Sequence, residues 1–96
     1  MITVFKYKLK VNAVNRVKMP MASRALDMIA VRNDVYLFAE VDTEAALTER
    51  KFEVYGTGHE LPPRYTNRSY VGTTTTNGGG VVWHGYERIG KCINQA

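Results

Sequence analysis

The stretch RSYVGTTTTNGGGVVWHGYER, residues 68–88, decides the fold. Its two arms, 68–76 and 81–88, are rich in threonine, valine and aromatic residues, side chains that suit an extended, half-buried backbone. Between them stands NGGG, residues 77–80. Asparagine and glycine tolerate the positive φ that tight hairpin turns demand. The stretch therefore predicts two antiparallel strands closed by a short turn.

Working outward, residues 35–41 place Val35, Leu37, Ala39 and Val41 on one face and Tyr36, Phe38 and Glu40 on the other. Bulk on both faces predicts a central strand. The turn RND, residues 32–34, joins it to 21–31, where Met21, Ala25, Met28 and Ile29 fit a helical stripe but Leu26, Met28 and Ala30 alternate as in a strand, and the adjoining hairpin turn favours the strand. At the start of the chain, Thr3, Phe5, Tyr7, Leu9 and Val11 alternate with Lys6, Lys8 and Lys10, the period of a half-buried strand. A short strand at 16–19 ends at Pro20, which has no ladder donor. Residues 43–48 read as a loop or a single helical turn, and Phe52 and Val54 mark one more strand at 50–55. The longest loop is YGTGHELPPRYTN, in which Pro62 and Pro63 block helix and ladder alike. Seven short strands predict an all-β fold, an antiparallel sandwich or partly open barrel.

A chain of 96 residues, 45% apolar and 23% charged, has room for one domain, placed at 1–88, with a tail at 89–96. So small a domain has a thin core, which predicts homo-oligomerisation as a source of further buried area. No apolar run reaches the roughly 20 residues of a membrane span, and no signal-peptide block opens the chain, so a cytoplasmic, membrane-free protein is expected. The one cysteine, Cys92, excludes an internal disulfide and reads as a reduced bystander in the tail. The net charge of +4 is uneven. Residues 1–24 carry six cations and no acid, whereas 25–53 carry seven acids against three cations. That segregation suits an anionic partner or pairing between copies. The acids in mid-chain dilute the basic footprint and argue against general nucleic-acid binding.

Catalytic patterns are absent from the spacing. Gly56-Thr57-Gly58-His59-Glu60-Leu61 opens like a dinucleotide fingerprint, but Leu61 replaces the third glycine and prolines stand where the helix should begin. His59 and His84 have no third metal ligand beside them, so no metal and no cofactor are expected. Neither Ser23 nor Ser69 sits in a nucleophile setting, and no catalytic residue is assigned. What remains is a binding constellation. Gly56 and Gly58 would let the amides of Gly56, Thr57, Gly58 and His59 cradle an anion, Arg64 and Arg68 would clasp phosphate, and Tyr55, Trp83 and His84 would stack on or bond to a base. The plainer reading gives the glycines to the turn and Trp83 to the core. Strand lysines, likewise, serve on many sheet edges only to deter aggregation.

Tyr55-Gly56-Thr57-Gly58-His59 and Gly79-Gly80-Val81-Val82-Trp83-His84, with ITVFKYKL at the start, resemble a family of short, largely uncharacterised accessory proteins of tailed bacteriophages. The resemblance spans about 1–88. It implies a viral protein working in the host bacterial cytoplasm, and short phage accessory proteins often blunt immunity by occupying a defence complex or soaking up a nucleotide signal. The leading expectation is a non-enzymatic, oligomeric sponge for a small anionic ligand such as a cyclic oligonucleotide. Its rivals are a protein-protein inhibitor of a host defence protein, acting through Glu40, Asp42, Glu44, Glu49 and Glu53, and a minor virion or assembly protein.

Overall fold

The computed structural model describes residues 1–62 and 67–89. Among these residues the strands run β1 (Ile2–Leu9), β2 (Ala13–Pro20), β3 (Arg24–Val31), β4 (Asp34–Asp42), β5 (Leu47–Gly56), β6 (Arg68–Thr76) and β7 (Val81–Arg88). They form two antiparallel sheets, ordered β1-β4-β3 and β2-β5-β7-β6, which stack as a sandwich and do not close into a barrel.

The alternation along β4 sets the core. Val35, Leu37, Ala39 and Val41 point inward and are at most 2% exposed. Phe52 and Val54 of β5, Met19 of β2 and Trp83 of β7 meet them from the other sheet. Burying each of the larger side chains contributes roughly 1.5–3 kcal/mol. Both predicted hairpins are present. Arg32 and Asn33 both take positive φ between paired Val31 and Asp34, the two-residue turn that matches strand twist. Asn77, Gly78 and Gly79 do the same between Thr76 and Val81.

One side of the sandwich is closed. Gly72 of β6 and Gly85 of β7 lie opposite each other and face β3, where Met28 fills the notch they leave. A Cβ on Gly72 would stand 2.8 Å from the Met28 backbone nitrogen, and one on Gly85 2.9 Å from Met28 Cε. The Ala30 amide then donates to Thr74 Oγ1 at 2.9 Å, tying the two sheets together at this corner. Bulges between Ala25 and Asp27 and between Tyr70 and Gly72 bend both strands there. The bulge turns Leu26 out to 42% exposure, against the strict alternation expected of it.

The other side is open, with β1 and β2 as edges. Of the inward set expected on β1 only Leu9 is fully buried; Phe5 is 41% exposed and Val11 lies in the turn after the strand. An edge strand has a neighbour on one flank only, which the alternation cannot reveal. Strands β2 and β5 each begin three residues earlier than their patterns predict, because each supplies the other's ladder from Pro20–Leu47 to Ala13–Val54.

Candidate functional site

The Gly56–His59 segment is a tight turn. The His59 amide donates to Gly56 O at 3.0 Å, and Gly58 in the third position has φ +86, which a side chain adopts only with strain. The Thr57 amide donates to Val82 O at 3.1 Å, prolonging the β5–β7 ladder. The Gly56 amide donates to His59 Nδ1 at 3.2 Å, and the His59 ring lies where a Cβ on Gly56 would be. Three of the four amides offered as an anion cradle are thus engaged within the chain. The glycines make the turn and admit the imidazole.

The aromatic side chains divide between the two faces of β7. Trp83 faces the core, 9% exposed, with its Nε1–H donating to Thr76 Oγ1 at 2.9 Å and the His59 ring set edge-on 6.2 Å away. His84 faces outward. Thr57 Oγ1 lies 2.6 Å from its Nε2 and Thr73 Oγ1 3.3 Å from its Nδ1, and Tyr70 OH is 2.6 Å from Thr73 Oγ1. Among the described residues no three of His, Cys, Asp and Glu come together as a metal would require.

Beneath the same outward face, Glu53 is fully buried. Its Oε2 accepts from Arg68 Nε at 3.1 Å and Arg88 Nε at 2.6 Å. Arg68 also donates to the Pro62 carbonyl, which holds the start of the loop against the sheet. Tyr55 packs beside this group. Burial pushes its phenol up, and the bond to the Glu53 carboxylate pushes it further.

Register exposes a feature that no single segment carries. Arg16 stands opposite Lys51, Lys51 opposite Arg88, and Arg88 opposite Arg68, so one row of four cations crosses all four strands on the outward face. At strand spacing the row spans about 14 Å. The next row reads Val14, Glu53, Tyr86, Tyr70, and the one after it Tyr55, His84, Thr73. The Tyr70 and Tyr86 rings meet edge to face at 6.1 Å, and Tyr70 is 61% exposed. Arg68 and Arg88 share Glu53. Arg16 is exposed and Lys51 half-buried, and neither has a carboxylate within ion-pair reach among the described residues.

The match to a family model described as a domain of unknown function, DUF7352, covers residues 1–94. The chain belongs to the DUF7352 family. No curated protein and no solved structure matches it.

In this DUF7352 chain the nine residues singled out from sequence do not form one cluster. Tyr55, Thr57, Arg68 and His84 belong to the outward face; Gly56, Gly58 and His59 form the turn; Trp83 belongs to the core. Arg64 lies outside the described residues, as does Cys92. Sequence reading missed Arg16, Lys51 and Arg88, whose alignment depends on pairing between strands 35 or more residues apart or out of chain order. The five acids of the rival surface are dispersed as well. Glu40 pairs with Arg24 at 3.2 Å, Asp42 and Glu44 meet the amino terminus at 3.5 and 3.6 Å, Glu49 faces Lys18, and Glu53 is buried. The Glu44 amide, first, and the amino terminus hold the Asp42 carboxyl below its ordinary range. Among the described residues no helix is long and apolar enough to cross a membrane.

Proposed function

We propose that this protein is a non-enzymatic binding protein that holds a small phosphate-bearing ligand, of the cyclic oligonucleotide class, on the outward face of its four-stranded sheet. The cationic row carries the reading. Like charges directly opposite each other weaken a sheet, and at Arg16 and Lys51 the chain itself offers no described counter-charge. A bound anion turns that repulsion into attraction. The row's span of about 14 Å suits a few phosphates rather than a long duplex. Tyr86 and Tyr70 lie one row away, about 7 Å along the strands, at the right remove for a base joined to a phosphate on the row. His84 and its two threonines add hydroxyl and imidazole groups at the far edge.

The resemblance to phage accessory proteins supplies the setting: the cytoplasm of an infected bacterium, where an oligomeric sponge that holds an immune signal without turnover blunts the defence that signal would trigger. Titration calorimetry against cyclic dinucleotides and trinucleotides tests the reading. Binding that weakens with salt and is lost on replacing Arg16 and Lys51 with glutamate supports it. Silence across the panel removes it.

A further inference from the structure

We propose that the free edge of β1 takes up an extended acidic segment of another protein as an added strand. Among the described residues no strand pairs with the outer flank of β1. The Thr43 amide donates to Met1 O at 2.9 Å, so the antiparallel alternation assigns Thr3, Phe5 and Tyr7 to the β4 ladder. Ile2, Val4, Lys6 and Lys8 therefore direct their amides and carbonyls outward, along an edge eight residues long. Such an edge is a template for strand addition, in which main-chain bonds give affinity and alternate side chains give specificity.

The side chains along this edge define the occupant. Lys6 and Lys8 stand on the outward face of β1 after exposed Ile2 and Val4, with Lys8 in a solvent-exposed pair 3.6 Å from Asp34. The first 24 residues hold no acid, so setting β1 against β1 or β2 of a second copy brings cations together. The lysines that hold copies apart are complementary to glutamate or aspartate. On the inward face Phe5, 41% exposed, and half-buried Tyr7 leave aromatic surface uncovered. The fitting segment alternates: acids across from Lys6 and Lys8, apolar residues across from Phe5 and Tyr7. This surface is separate from the cationic row, and neither proposal requires the other.

Fluorescence anisotropy with a labelled peptide that alternates glutamate and valine over the length of β1, against a counterpart with lysine for glutamate, tests the chemistry. The acidic peptide should bind at least about tenfold more tightly, with an affinity that falls as salt rises. The exposed pair of changes Lys6→Glu and Lys8→Glu should reverse the preference between the two peptides. Amide exchange on the unaltered protein tests the geometry: with the acidic peptide bound, Val4, Lys6 and Lys8 should slow while Phe5 stays as it was. Equal binding of both peptides, or binding that leaves those amides unprotected, overturns the proposal. So does protection of the same amides by rising protein concentration alone, which would assign the edge to a second copy, or by a single-stranded oligonucleotide, which would assign it to nucleic acid.

Discussion

The two ends of the cationic row solve the same problem differently. At the β7–β6 end, Arg88 and Arg68 close on Glu53, and their side chains are 8% and 16% exposed. At the β2–β5 end, Arg16 stands in solvent and Lys51 half in it. One end is compensated from within and does structural work, fastening the loop through the Pro62 carbonyl. At the other, no described carboxylate stands within ion-pair reach. Charge alone does not separate the ends; the position of one carboxylate does.

The largest effect should come from removing that carboxylate. Glu53→Gln keeps the shape but removes the buried carboxylate that Arg68 and Arg88 share, a change that costs about 3–5 kcal/mol when one partner of a buried ion pair is lost. Urea unfolding measures it. A loss below about 1 kcal/mol, the range of exposed pairs, would erase the distinction between the two ends.

Next in size is Gly72→Ala, which acts on the support of β6 from the core side. The new methyl group meets the Met28 backbone, which cannot swing away, so overpacking of about 1–3 kcal/mol is expected. Gly85→Ala meets the end of the Met28 side chain and should cost less. Thermal unfolding of the two variants ranks them. A reversed order would mean that β3 yields at this corner and that β6 is not fixed by it.

Smaller in stability, and decisive for function, is the open end. Arg16→Gln with Lys51→Gln should lower affinity for a cyclic dinucleotide at least about tenfold while leaving the unfolding midpoint unchanged or raised, since the like-charge contact between the two opposed residues is removed. Calorimetry and a melt on the same sample separate the two outcomes. If the midpoint falls instead, these cations hold the sheet together and are not a site.

Much of the fold was legible because alternation reports burial directly. Val35 to Val41 announced a core strand, and NGGG and RND announced their turns. The exposure of Phe5 and Leu26 was not legible, since edge position and bulges depend on neighbours remote in sequence. The same limit governs the site. Tyr55 and His84 were picked out, and they do share a face. Arg16, Lys51, Arg68 and Arg88 look like scattered surface cations until pairing places them abreast. The fit of the His59 ring into the space beside Gly56 is of the same kind, since spacing alone does not show which side chain folds back onto a glycine.

The smallest expected effect concerns the phenol beside the compensated end. Burial and then the Glu53 carboxylate raise Tyr55 above 10.0, so its folded value lies above its unfolded one. The stability it contributes is fully present below pH 10 and is lost as pH rises through the folded value. Tyr55→Phe should cost about 1 kcal/mol at neutral pH through the lost bond to Glu53. That difference from the unaltered protein should shrink in the alkaline range, where only the tyrosine form has a proton to lose. Tyr7, on β1, is raised by burial without a carboxylate partner, and Tyr7→Phe supplies the comparison. Urea midpoints of the three proteins at neutral pH and above pH 10 decide the matter. A steeper alkaline change for Tyr55 than for Tyr7 shows Glu53 acting on the phenol as well as on the two arginines. Equal changes would confine its charge to the ion pairs.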